Sequence, residues 1–103
     1  MAMAATFDVL AEPNRRRILE LLLAKERPVT DLVGHLKITQ PTVSKHLRIL
    51  RQAGLVEVRS EAQRRVYRVR GEPLRELYDW LQPYRQLWES HLDKLEKHLD
   101  ETA

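Results

Sequence analysis

Apolar residues recur in three rhythms along this chain, and each rhythm predicts a different kind of element. Over the first half the spacing is three or four residues, the mark of helices buried on one side. It predicts a short first helix from Thr6 to Ala11 that stops before Pro13. A second helix starts near Pro13 or Asn14 and runs through RRRILELLLAKE, with Ile18, Leu21 and Leu22 making it a central core helix. Pro28 ends that region, Val29 adds a short extended contact, and Thr30 caps a third helix, TDLVGHLK, with Leu32, Val33 and Leu36 facing inward. Three residues, Lys37 to Thr39, separate it from a fourth helix, so the two form a helix-turn-helix unit.

The fourth helix is the most informative stretch. Thr39 is suited to cap it, because a hydroxyl satisfies an orphan N–H at a helix start, and Pro41 sits in the first turn, where a missing N–H is harmless. Val43, Leu47 and Leu50 form one narrow apolar stripe. Gln40, Thr42, Ser44, Lys45, Arg48, Arg51 and Gln52 surround it; all can donate hydrogen bonds and none is acidic. A helix anchored along one edge and offering donors and cations along the other meets the requirement for entering the major groove of DNA. His46 lies about 60° from the stripe at the helical period, which leaves it between a groove contact and packing beside the core.

After Gly54, which suits a helix C-terminus, the rhythm changes to two. Leu55–Arg59 and Arg65–Arg70 alternate, with Val56, Val58, Tyr67 and Val69 as inward positions and SEAQR as the loop of a two-stranded wing. The third rhythm is helical again. Pro73 opens it, and Leu74, Leu77, Leu81, Tyr84, Trp88, Leu92, Leu95 and Leu99 recur at steps of three or four. So long a seam exceeds what a small wing domain needs internally and predicts a homodimer interface, which Pro83 kinks or splits. The fold class is therefore mainly α with a small β-wing, a winged helix-turn-helix carrying a long C-terminal dimerisation helix. Residues 1–70 make the DNA-binding core and 71–103 the dimerisation segment of the same single domain.

Charge sharpens this picture. The net charge is only +3, but residues 39–70 carry eight basic groups against Glu57 and Glu61, while 71–103 carry four basic and eight acidic groups. A basic middle with an acidic tail predicts a localised footprint for a polyanion. Cysteine is absent, which excludes disulfides and thiolate sites and fits a cytoplasmic location. No apolar run is long enough to span a membrane, and MAMAATFDVL lacks the features of a secretion leader. Ser44, Ser60 and Ser90 stand in no nucleophile context and no glycine-rich phosphate loop is present, so an enzyme is not expected.

Three blocks, LAEPNRRRILELLL, TQPTVSKHLRILRQAGLVEV and RRVYRV, together resemble the ArsR-type family of bacterial winged-helix repressors over about residues 7 to 70. The resemblance implies a homodimer that binds double-stranded DNA at two inverted half-sites and blocks transcription. It implies that Thr39, Gln40, Thr42, Ser44, Lys45, His46, Arg48 and Arg51 lie on the groove-reading helix. It also implies that Arg59, Arg64 and Arg65 at the wing touch phosphate or the minor groove. Arg15, Arg16 and Arg17 match the opening of the family's second helix, with surface ion pairing as their expected task.

Many members of this family sense metals, and here both metal motifs are broken. Pro28 to Asp31 offer no thiolate. His98 and Glu101 match half of the C-terminal site, whose other half needs a histidine where Leu87 stands. No metal or other cofactor is expected, although His91 and His98 share a helix face and keep a zinc-responsive repressor as an alternative. Release from DNA is left to an unidentified inducer, for which Tyr78, Trp80, Tyr84 and Trp88 offer an aromatic cleft, to a partner protein, or to concentration. A protein-interaction adaptor with no DNA role is the other alternative.

Overall fold

The computed structural model describes residues 3–89 together with Leu99. Helix α1 spans Met3–Leu10, α2 Pro13–Ala24, α3 Val29–Leu36, α4 Gln40–Gln52 and α5 Glu72–Leu81. Strands β1 (Arg27–Pro28), β2 (Val56–Glu61) and β3 (Arg64–Val69) form an antiparallel sheet in the order β1-β3-β2. This is a winged helix-turn-helix, and its sheet has three strands where the sequence predicts two.

The core forms where α2, α3 and α4 meet under the wing. Ile18, Leu32, Val43, Leu50 and Leu55 are completely buried, and Leu22, Leu47 and Val56 nearly so. Helix α2 starts as expected, with Pro13 in its first turn and the Glu12 carboxylate accepting from the Arg15 N–H at 3.0 Å. It stops at Ala24, two residues short of the expected end, because Lys25 turns fully extended to lead the chain into β1. There Arg27 stands opposite Tyr67 and Pro28 opposite Val66. Arg27 is a buried arginine: its Nε donates to the Leu21 carbonyl at 2.9 Å and its Nη1 lies 3.3 Å from Asp31.

Helix α3 begins at Val29, so Thr30 lies inside its first turn and is not its cap; the N-cap position is Pro28, which has no side-chain hydrogen bond. The left-handed Lys37 closes α3 by donating to the Val33 carbonyl at 2.9 Å. Thr39 then caps α4, accepting from the Thr42 N–H at 3.4 Å. Gly54, at φ +75°, ends α4 in a conformation that disfavours any side chain. The Leu55 N–H returns to the Leu50 carbonyl at 2.9 Å, which satisfies an end carbonyl and drives Leu55 into the core.

In the hairpin Val56 pairs with Val69, Val58 with Tyr67, and Glu61 with Arg64 at the tip. The connection is two residues long, Ala62 and Gln63, with Ala62 at φ +56°, and not the five-residue loop the sequence suggests. Helix α5 returns across α1, burying Leu77 and half-burying Leu74. At Pro83 it gives way to a 3-10 turn, Gln82–Tyr84, after which residues 85–89 are helical again. The proline thus splits the seam.

Candidate nucleic-acid interface

Helix α4 is held by the stripe that its sequence shows: Val43, Leu47 and Leu50 are buried, while Gln40, Thr42, Ser44, Lys45, Arg48 and Arg51 are exposed. Thr39 and Thr42 bind each other through their hydroxyls at 2.8 Å, which fixes both side chains at the start of the helix. His46 departs from the groove-facing set. Its side chain is 11% exposed, its Nε2 lies 3.8 Å from Glu12 Oε2, and its Nδ1 is buried without a hydrogen-bond partner among the described residues. The imidazole therefore sits between α4 and the start of α2, turned away from the exposed face.

A groove of about 420 Å³ separates α4 from the wing, walled by Gln40 and Ser44 on one side, Gln63, Arg64, Arg65 and Tyr67 on the other, with Pro28, Val29 and Thr30 at the start of α3. Thr30, which the sequence offers only as a helix cap, and Gln63, which it places only in the hairpin loop, are further polar members of this surface. Only the register of the hairpin and the position of α3 bring them there.

Electrostatics divide the eight basic residues of 39–70 into two classes. Arg59 is paired with Glu26 and, at 2.8 Å, with Glu61; Arg64 reaches Glu61 at 3.5 Å. Arg68 is paired with Glu57, and Arg70 lies 3.7 Å from Glu57 and 3.0 Å from Glu72. The Glu61 carboxyl is held below its ordinary value chiefly by the hydrogen bond from Arg59, and the Arg59 guanidinium is raised by its bonds to Glu26 and then Glu61. Taking these four from the eight leaves Lys45, Arg48, Arg51 and Arg65, none of which meets a described carboxylate. The unneutralised cations are therefore three on α4 and one on the wing. In the N-terminal triad, Arg16 donates to the Leu10 carbonyl at 2.6 Å and so closes α1, where a cation suits the helix dipole. Arg17 lies 3.6 Å from Glu20, whereas the Arg15 Nε is buried without a hydrogen-bond partner among the described residues.

The seam on α5 is divided too. Leu77 is covered by its own chain, but Leu81, Tyr84, Trp88 and Leu99 are exposed. So are Phe7, Tyr78, Trp80 and Leu87, which the spacing alone does not assign to the seam. Phe7 of α1 meets Trp80 edge-on at 6.0 Å between ring centres, and Trp80 lies 5.2 Å from Tyr84. On the neighbouring side, Tyr78, Leu81, Gln82, Arg85, Trp88 and Glu89 line an open cleft of about 420 Å³, with Arg85 bound to Glu89 at 2.5 Å. Leu92, Leu95, His91, His98 and Glu101 lie outside the described residues. Among the described residues no group of three metal-ligating side chains is assembled, and no helix is long and apolar enough to cross a membrane.

Residues 12–58 match the model of the family described as "Bacterial regulatory protein, arsR family". The chain is 31% identical over 75 residues to the transcriptional repressor SdpR of Bacillus subtilis, covering 73% of this chain and 83% of that protein. It is similar to the crystal structure of an ArsR family transcriptional regulator, with a TM-score of 0.75 and 26% identity over 86% of this chain and 98% of that one. It is also similar to the solution structure of a homodimeric winged helix-turn-helix DNA-binding domain from Mycobacterium bovis, a possible ArsR-family transcriptional regulator. That match has a TM-score of 0.66 and 33% identity, covering 85% of this chain and 82% of the other. With the helix-turn-helix, the wing and the core all in place, the chain belongs to the arsR family of bacterial regulatory proteins, which are regulators and not enzymes.

Proposed function

We propose that the chain acts as a homodimer that binds double-stranded DNA of defined sequence and represses transcription from an operator of two inverted half-sites. One observation carries the reading: the basic groups of residues 39–70 that no described carboxylate engages lie on α4 and at the wing residue facing it across the groove. Helix α4 enters the major groove, where Gln40, Ser44 and Lys45 reach base edges and Arg48 and Arg51 reach phosphates. Thr39 and Thr42 hold the helix start, and Arg65 contacts the backbone from the wing. Arg59 and Arg64 flank the same wing but remain with their carboxylates, and His46 acts by packing.

The second copy docks on the aromatic face of α1 and α5. Half-exposed rings of Phe7, Trp80, Tyr84 and Trp88 are the side chains that supply large contact area in protein interfaces. A twofold axis through that face presents two copies of α4, the arrangement that an operator of two inverted half-sites requires. The repressor activity named for the Bacillus relative and the homodimeric state of the Mycobacterium domain support this assignment.

The test is selection of bound sequences from random DNA, followed by anisotropy titrations of the selected duplex across salt. Lys45→Ala and Arg48→Ala are expected to weaken binding, with a slope of log K against log salt shallower by about 0.9 for each phosphate no longer neutralised. Wild-type behaviour of both variants at every salt concentration removes α4 from the groove.

A further inference from the structure

The wing arginines carry more charge than the wing presents. Glu57, Arg59 and Glu61 alternate on one face of β2, and their register partners on β3 are Arg68, Val66 and Arg64. Two closed quartets result. Arg59 and Arg64 are matched by Glu26 and Glu61, and Arg68 and Arg70 by Glu57 and Glu72. Each holds two positive and two negative side chains, so this face is neutral. Glu26 and Glu72 come from outside the basic segment, 33 residues before Arg59 in the first case. The opposite face at the tip carries Arg65, which meets no described carboxylate and lines the groove beside α4.

We propose that Glu26 and Glu61 limit DNA affinity by withholding Arg59 from phosphate, and so confine the electrostatic footprint to α4 and Arg65. This deepens the DNA-binding reading above and rests on it. A phosphate approaching Arg59 meets two carboxylates within hydrogen-bonding reach of the same guanidinium, well inside the Debye length of about 8 Å at physiological salt. Both terminal nitrogens of the guanidinium already donate to a carboxylate, and the adjacent anions repel the backbone. Sequence-independent affinity scales with the number of phosphates neutralised, whereas base reading does not. Withholding an arginine from the wing therefore lowers binding to every duplex by a similar factor and leaves selection of the correct one to the base contacts of α4.

The experiment measures the salt dependence of binding for the full chain on its selected duplex and on a scrambled duplex. Glu26→Gln/Glu61→Gln frees Arg59 and also Arg64, and is expected to steepen the slope by about 0.9 per protomer for each further phosphate neutralised and to tighten the selected and scrambled duplexes by similar factors. Adding Arg64→Ala to that pair should leave the Arg59 increment of about 0.9 in place, and adding Arg59→Ala as well should restore the wild-type slope. Asp8→Asn/Glu76→Gln removes the same number of negative charges from exposed acids that pair with no described base, and should leave the slope unchanged. Equal steepening in this control would assign the effect to net charge and overturn the proposal. An unchanged slope in the Glu26/Glu61 variant, with the wild type still binding, overturns it while leaving the DNA-binding reading intact. Failure of the wild type to bind any duplex removes both together.

Discussion

Helices α4 and α5 follow the same apolar rhythm and meet opposite fates. In α4 the stripe is narrow, and Val43, Leu47 and Leu50 vanish into the chain's own core. In α5 only Leu77 does so, while Tyr78, Trp80, Leu81, and then Tyr84 and Trp88 beyond the helix, remain open to solvent. A period of three or four residues specifies a helix with one buried side, but not the surface that buries it. Width and residue type separate the two. An apolar arc too wide for the chain's own core, built from aromatic rings, is left for another molecule; a narrow aliphatic one is consumed at home.

The largest effect belongs to the stripe already consumed. Leu47→Ala is expected to lower the unfolding free energy by about 2–5 kcal/mol, because the side chain is fully buried in a core cluster shared with residues of α2, α3 and β2. Urea unfolding at fixed protein concentration measures it. A decrease smaller than about 1 kcal/mol would mean that α4 is only loosely docked, and would weaken the view that its outer face is rigidly presented. Trp88→Ala should do the reverse. It removes a side chain from a residue that is 53% exposed, so folding of the protomer changes little, but self-association weakens by roughly 2 kcal/mol or more if Trp88 anchors the dimer. Sedimentation equilibrium over a range of concentrations separates the outcomes, and an unshifted dimer constant would move the interface elsewhere.

The same contrast shows what was legible beforehand. The cap at Thr39, the proline in the first turn, the stripe of α4 and the break at Gly54 are local features, each set by residues a few positions apart, and all appear where the sequence puts them. Strand β1 escapes because two residues cannot display a period, and one of them is an arginine whose burial depends on the distant Leu21 carbonyl and on Asp31. The wing's tight turn escapes because Ala62 takes a left-handed conformation without a glycine or asparagine to announce it. The ladder reaches the tip, where Glu61 and Arg64 face each other as opposite charges. A count of charges along 39–70 overstates the basic surface for a related reason: Glu26 and Glu72 join it only through the fold. His46, on the border of the stripe, needed the position of Glu12 to place it inward.

Helix starts give the finest comparison. The N-cap of α4 is Thr39, whose hydroxyl accepts from the Thr42 backbone; the N-cap of α5 is Gly71, with no side-chain bond. Thr39→Ala should therefore destabilise by about 1 kcal/mol, within the range of roughly 0.5–2 for removed caps. Part of that effect should appear as faster amide exchange in the first turn of α4, and weaker DNA binding should accompany it. Gly71→Ala should have a smaller effect. Gly71 has φ −88° and ψ −7°, which alanine adopts without strain, and an added Cβ meets nothing within 4 Å. The substitution removes conformational freedom from the unfolded chain, worth about 0.4–1 kcal/mol, but puts alanine where glycine caps better, so the two terms oppose each other and the net change is expected to stay within about 0.5 kcal/mol of zero. Thermal melts of the two variants in the Trp88→Ala background, where the dimer is suppressed, read both effects on the protomer alone. A loss of more than about 1 kcal/mol in Gly71→Ala would show that the chain needs glycine's freedom at this junction, and that α5 is set by a backbone geometry other than the relaxed one seen at Gly71.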